Sequence, residues 1–372
     1  MSRLHVIVVG LGAVGSAAAW RLAAAGHRVT AFDRWSPPHT NGSTHGDTRV
    51  TRLTAWEGPQ YVPLVRRANA LIAELAAQSG HQFHDRTGGL FIGAPEEFHI
   101  ADSRSCADAA GLEYELLTRD VISQRHPLLV VPDGMVGFVD PGAGVLHAEA
   151  IVEAALAAAQ REGASLHLNE PVTEWSTDGE GVRVRTGHNT HTADRLILCT
   201  GAWMPDVLAP LAVSCSVERL TMHWFAATPR AVAEAARTPV MILSNGAGHA
   251  TAVFPARDGS IKAAGHGSGE IGAPDAIDRT VRHADIAPVE DLVRRYLPTS
   301  IAAHQRSATC LYTLTPDKTF ILDRHPRHSQ IVLGSPCNGF GFKFAAASGE
   351  ALAALATDTT PPVALDAWRL PR

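Results

Sequence analysis

Gly10, Gly12 and Gly15 stand in G-x-G-x-x-G spacing, and Asp33 follows them. Residues of these types can hold a dinucleotide. The glycines let the backbone approach a pyrophosphate at a helix N-terminus, and the acid accepts a hydrogen bond from a ribose hydroxyl. Arg49 and Arg52 are three residues apart and share a face if the segment is helical. Gly267, Gly269 and Gly272 repeat the glycine spacing, but Pro274 intervenes where a helix would open. That stretch is expected to be a loop and not a second nucleotide site. No evident catalytic triad or carboxylate pair accompanies these groups. Cys106, Cys199, Cys215, Cys310 and Cys337 are scattered without a C-x-x-C pair, so neither a metal cluster nor a disulfide framework is expected.

The elements that must position the glycines are legible. Val6 to Val9 is an apolar, β-branched run, as for a strand buried on both faces. A helix is expected over Ser16–Ala25, stopped by Gly26, and a second strand over Val29–Phe32 ends at Asp33. This is a complete βαβ half, and both FAD and NAD use it. A polar loop, Pro37 to Asp47, comes next and is long enough to carry function.

Helical spacing predicts helices over Tyr61–Ala77, Glu96–Leu112, Val121–His126, Glu149–Glu162 and Ala345–Leu355. Strands are expected over Gly88–Gly93, Ser165–Asn169, Val172–Ser176, Val182–Thr186 and Arg195–Cys199. Alternating patterns over Thr221–Ala227, Val240–Leu243, Thr251–Phe254, Ser260–Ala264 and Ser307–Leu314 indicate an antiparallel or mixed sheet. Phe320–Asp323 and Ile331–Leu333 read as strands returning to the first sheet. The expected fold is α/β: a Rossmann-like, doubly wound and mostly parallel sheet, with a second α+β substrate domain. The cofactor domain would be discontinuous (1–87, 141–214 and 315–372) and the substrate domain would take 88–140 and 215–314.

Length and composition set outer limits. A chain of 372 residues can bury two sizeable cores, and 45% hydrophobic with 19% charged residues is ordinary for a globular protein. The net charge of −5 and the absence of a Lys/Arg run argue against nucleic acid or a membrane surface as partner. No apolar stretch reaches spanning length, no secretory leader is evident, and cytoplasm is the expected compartment.

Several motifs in order carry a resemblance over nearly the whole chain. They are the Gly10–Asp33 fingerprint, Pro37-Pro38-His39, Gly42-Ser43-Thr44-His45-Gly46-Asp47-Thr48-Arg49, Tyr61-Val62-Pro63-Leu64, Cys310-Leu311-Tyr312 and Gly341-Phe342-Lys343-Phe344. In these the sequence resembles the monomeric sarcosine oxidase and N-methyltryptophan oxidase family of FAD enzymes, in the D-amino-acid-oxidase-like superfamily. The resemblance implies oxidation of a secondary (N-methyl or cyclic) amino acid to its imine, with O2 as acceptor and H2O2 released, by a monomer. It implies FAD tethered covalently through Cys310, with Ser43, Thr48, Val172, Gly201, Gly339 and Gly341 among the cofactor contacts. Lys262 matches the lysine near flavin N5 that assists reaction with O2, and Arg49 and His45 match residues flanking the ring. Arg52 and Lys343 match the pair that holds the substrate carboxylate, while Tyr312 and His266 match residues that orient the substrate. An acceptor-linked dehydrogenase and a non-catalytic flavin-binding subunit are the other classes such a chain could join.

Three departures from the family pattern concern the pocket. Phe340 replaces a histidine beside the flavin, Thr44 replaces the first histidine of a His-His-Gly-Asp loop, and a pocket tyrosine falls at Ala252 or a neighbour. Ala252 implies a roomier pocket than sarcosine needs.

Overall fold

A computed structural model describes residues 3–370, apart from 247, 268 and 336. Its first layer is a six-stranded sheet in the order Ile321–His325, His328–Ser335, Arg195–Leu198, His5–Val9, Arg28–Phe32, Ser165–His167. All neighbours pair in parallel except Ile321–His325, which lies antiparallel at the edge. The strand His5–Val9 is central and must be apolar on both sides. Val6 and Val8 face a helical layer formed by Ala13–Ala24, Val62–Ser79, Ala148–Arg161 and Ala345–Ala356. Ile7 and Val9 face the opposite way, against Val182 and Val184 of an antiparallel meander, Val172–Asp178, Gly181–Thr186 and Thr190–Ala193.

The second large element is an eight-stranded sheet in the order Ile301–Leu314, Ser216–Ala227, Ser260–Gly265, Ala250–Val253, Val240–Ser244, Gly89–Gly93, Val136–Asp140, Glu115–Leu117. Every pairing is antiparallel except Val240–Ser244 with Gly89–Gly93. One face packs on the helix His283–Tyr296 through Met241, Leu243, Val253, Ile261, Leu292 and Val293. The other face presents a row in register: Met222 opposite Ala264, Ala264 opposite Ala252, Ala252 opposite Ile242, and Ile242 opposite Phe91. That row walls the cavity described below.

Several expectations need correction. The first helix begins at Ala13, not Ser16, because Gly12 is its extended N-cap and Gly15 lies inside the first turn. A Cβ on Gly15 would stand 1.8 Å from the Gly10 carbonyl oxygen, so only glycine lets this turn press onto the strand end. Arg49 and Arg52 do not share a helix. Thr48–Thr51 is a strand paired with Gly144–His147, and β-branched Thr48, Val50 and Thr51 suit it. The helix His283–Tyr296 was unanticipated because Pro288 interrupts its pattern and its outer face is charged. Ile301–Leu314 begins six residues before the expected start at Ser307, extended by its pairing with Ser216–Ala227. The second glycine motif is a loop: Ile271 bridges to Glu218, and Gly269 donates to Glu218 Oε1 at 2.7 Å. Ser268 lies outside the described residues.

The first and last long helices cross in close contact because alanines and Gly349 face each other. A Cβ on Gly349 would lie 2.6 Å from Ala17 Cβ and 2.6 Å from the Ala18 nitrogen. Gly349→Val therefore forces the helices apart, and overpacking of this kind costs about 1–3 kcal/mol. The expected result is a lower urea midpoint with an unchanged m-value; an unchanged midpoint would show that the crossing is loose.

Candidate active site

One cavity of about 580 Å3 is lined by the C-terminal strand ends of the six-stranded sheet and by the apolar row of the eight-stranded sheet. Every residue proposed above as a site residue lines it except Gly15 and His45. Gly15 acts beneath the surface, by the close approach already described. His45 contributes through its backbone: its carbonyl accepts from Arg49 Nη2 at 2.6 Å. Its ring is buried, and Nε2 has no hydrogen-bond partner among the described residues. Burial, with the Arg49 and Lys262 charges, pushes this imidazole down to about 4, so it is neutral at pH 7.

At the glycine end, Gly10 adopts a φ of 91°, and a Cβ there would meet the Cys199 carbonyl oxygen at 2.4 Å. Asp33 accepts from the Leu11 nitrogen through Oδ2 at 2.7 Å and from the Trp35 nitrogen through Oδ1 at 2.8 Å. The carboxylate is thus locked at the strand end, with lone pairs left for a ribose hydroxyl. Gly12, Val172 and Gly201 border the same end. Ser335, at the end of a neighbouring strand, has a buried hydroxyl without a hydrogen-bond partner among the described residues.

In the middle of the cavity, the polar loop is held by cations. Arg49 donates to the carbonyls of Ser43 (2.8 Å), His45 (2.6 Å) and Thr48 (2.8 Å). Its Nη2 stands 3.9 Å from Cys310 Sγ, and Nη1 stands 3.8 Å from Met222 Sδ. Ser43 Oγ donates to the Leu311 carbonyl, tying the loop to the strand that carries Cys310. Lys262 is 4% exposed and donates to the carbonyls of Gly46 and, at 2.7 Å, Thr48, with Thr48 Oγ1 at 3.4 Å. Three acceptors match the three N–H bonds of an ammonium. Burial, reinforced by Arg49, pushes the Lys262 pKa well below the ordinary lysine value. Its Nζ also lies 4.8 Å from the centre of the Phe254 ring and 5.5 Å from that of Trp224.

At the far end, Arg52 and Lys343 meet on one carboxylate. Glu57 Oε1 accepts from Arg52 Nη2 at 2.6 Å and from Lys343 Nζ at 3.2 Å. Arg52 also donates to the Thr54 carbonyl, and Trp56 lies over its guanidinium with Cζ 3.3 Å from the ring centre. Burial pushes the Glu57 carboxyl up, but Arg52 and Lys343 more than reverse this and leave it lowered. Burial lowers Lys343 to about 7, against the pull of Glu57. Two cations and one anion leave net positive charge for an incoming carboxylate. Beside them, Tyr312 Oη lies 3.2 Å from His266 Nδ1. Burial raises the phenol, and burial with the nearby Lys343 and Arg52 lowers His266 to about 4, so both groups are neutral. Gly339 leaves room for the Tyr312 ring, which a Cβ would meet at 2.6 Å, while Gly341 borders the cavity.

Glu57, Trp56 and Met222 join the site without belonging to any of the motifs named above. An acid five residues after Arg52 was the available signal for Glu57; Met222 had none short of strand register. At the departures, Thr44 Oγ1 accepts from the Ala13 nitrogen at 3.4 Å. The Phe340 carbonyl accepts from Lys343 Nζ at 3.0 Å while its ring stacks on Phe320.

A parallel sheet whose strand ends cradle a dinucleotide, joined to a mixed sheet that walls an anion pocket, defines a two-part dinucleotide-dependent enzyme. Residues 5–355 match the family described as FAD dependent oxidoreductase, and the chain belongs to that family. It is 38% identical to a monomeric sarcosine oxidase of Streptomyces avermitilis over 363 residues, 95% of this chain and 94% of that protein. It is 32% identical to an N-methyl-L-tryptophan oxidase of Yersinia pestis, covering 99% of this chain and 98% of that protein. Among solved structures, NikD, an unusual amino acid oxidase essential for nikkomycin biosynthesis, superposes with a TM-score of 0.86 at 25% identity, covering 99% and 98% of the two chains. Glycine oxidase from Geobacillus kaustophilus, at 19% identity, shares the fold with a TM-score of 0.82 over 100% and 99% of the two chains. The residues present fit FAD. The glycine cradle is one a Cβ would fill, the helix Ala13–Ala24 aims its N-terminus at it, and Ser335 offers a buried hydroxyl that pairs with none of the described residues.

The Lys343 shift has a measurable consequence. The amine is protonated below about pH 7 and neutral above it, so the pocket loses a positive charge as pH rises. Acetate is expected to bind most tightly below pH 7, with its Kd climbing above that value. Lys343→Met should weaken binding and flatten the profile; a wild-type Kd independent of pH between 6 and 8.5 would show that Lys343 does not titrate there.

Proposed function

We propose that the protein is an FAD-dependent oxidase of a secondary amino acid, N-methyl or cyclic, yielding an imine and H2O2 from O2. The observation that carries this is the single cavity joining a dinucleotide cradle, a buried lysine and a two-cation carboxylate pocket. Bound FAD supplies the two-electron chemistry, oxidising the substrate C–N bond and returning the electrons to O2. Arg52 and Lys343 bind the substrate carboxylate and so fix which end of the substrate enters first. The neutral Tyr312–His266 pair orients the amine without holding a charge against it. The groups beside the Tyr312–His266 pair are held by other partners, Lys343 by Glu57 and Lys262 by the loop carbonyls, which suits an amine that binds already deprotonated. Lys262, walled by Phe254 and Trp224, places its amine where, in the protonated form that the three acceptors favour, developing negative charge on O2 would be stabilised. Imine hydrolysis then follows in water.

Cys310 is the proposed attachment site of the flavin. Cys310 lines the cavity, and its sulfur stands 3.9 Å from Arg49 Nη2. The chain is further read as a cytoplasmic monomer with cofactor unit 1–87, 141–214 and 315–372 and substrate unit 88–140 and 215–314. Support comes from five cysteines free of disulfides. In addition, no helix among the described residues is long and apolar enough to cross a membrane.

A peroxide-coupled screen of N-methyl and cyclic amino acids tests the activity, and absence of peroxide with every one would refute it. Acid-precipitated protein should stay yellow, whereas Cys310→Ala should release all its flavin to the supernatant. Lys262→Met should slow reoxidation of reduced enzyme by O2 at least tenfold while changing the rate of anaerobic reduction by less than about threefold. The opposite split would move Lys262 to substrate binding.

A further inference from the structure

We propose that Trp56 determines substrate specificity, and that the preferred substrate is a secondary amino acid bearing an aromatic or other flat apolar group. This rests on the oxidase reading above and narrows it. Trp56 lies face-on to Arg52, one of the two cations offered for the carboxylate, at 3.3 Å from Cζ to ring centre. Its indole also packs edge-on against Phe91 (6.0 Å, 75°) and Phe98 (5.4 Å, 90°). Phe91 ends the cross-strand row that continues through Ile242, Ala252 and Ala264. The indole therefore bridges the carboxylate pocket and the apolar wall, and it lines the cavity with Ile242, Ala252, Phe254 and Ala264.

Two physical consequences follow. The indole against the guanidinium carbon, with the Thr54 carbonyl and Glu57 on its N–H groups, holds Arg52 in place, so the carboxylate is received in one orientation. Whatever projects from the substrate toward the wall meets carbon. Ile242, Ala252, Phe254 and Ala264 carry no side-chain donor or acceptor, and the two alanines make the wall recede at its middle. A charged substituent placed against Ile242, Ala252 and Ala264 is desolvated and gains no hydrogen bond from those side chains, whereas an aromatic ring gains burial against the indole and the alanines. A bare N-methylglycine would leave that surface unfilled.

The test uses holoenzyme, following anaerobic flavin reduction with N-methylglycine, N-methyl-L-alanine, N-methyl-L-phenylalanine and N-methyl-L-aspartate. Indole-3-acetate and acetate serve as non-reacting ligands read by the flavin spectrum. The expected kcat/KM for N-methyl-L-phenylalanine exceeds that for N-methylglycine by at least about tenfold, mostly through KM. Indole-3-acetate should bind tighter than acetate by a similar factor. Trp56→Ala should remove most of both preferences, and Trp56→Phe should retain part of them. Ala252→Leu fills the recess and should penalise the phenylalanine substrate more than the glycine one. A preference for N-methylglycine or N-methyl-L-aspartate, or an equal loss for every substrate in Trp56→Ala, overturns the specificity assignment and leaves the oxidase reading standing. Failure of any of these amino acids to reduce the flavin, with peroxide formed from none, overturns both.

Discussion

Two buried cations share one carboxylate oxygen at the end of the cavity. Arg52 belongs to the segment after the polar loop, Glu57 to the turn that follows, and Lys343 to the approach to the last helix. Taking such ions out of water costs several kcal/mol apiece, so each is tolerable only because the others are there. The cluster therefore holds the N-terminal third of the chain against its C-terminal helix. The same requirement shapes its surroundings. Trp56 covers the guanidinium, and Phe340 and Phe344 surround the ammonium. Apolar packing there raises the electrostatic stakes by keeping water out.

The middle of the cavity uses the same physics with backbone in place of carboxylate. The polar loop turns its carbonyls inward, and Arg49 and Lys262 satisfy them. A loop that would otherwise be mobile is thereby tied to the strand Ser260–Gly265 and, through Ser43, to Leu311. Cationic side chains here do two things at once: they complete the hydrogen bonding of buried carbonyls and set a positive potential along the cavity. The neutral imidazoles of His45 and His266 are a result of that potential added to burial.

Some of this was legible before any coordinates. The strand, glycines, helix and acid of the opening βαβ half announce themselves because each is local: propensity, periodicity and turn chemistry agree within thirty-odd residues. Six of the eight strands of the second sheet were also legible, but Glu115–Leu117 and Val136–Asp140, at its far edge, were not. Ends and context were not. The strand Thr48–Thr51 is too short to show a period, and its partner Gly144–His147 lies almost a hundred residues on. The helix His283–Tyr296 contains Pro288, which local rules count against it; tertiary packing of Leu292, Val293 and Tyr296 overrides them.

Residue type and short spacing were enough to read a dinucleotide cradle and the order of the motifs, and resemblance to a family added which charged residues to look for. Tertiary structure alone decided what the candidates do to one another. It brought Glu57 between Arg52 and Lys343, separated Arg49 from Arg52, took the His45 ring out of the cavity lining and set Trp56 against the apolar row. The physical reason is that buried electrostatics and strand register are long-range. A charge is tuned by whatever the fold packs around it, and the facing row of a sheet exists only once strands from distant segments pair.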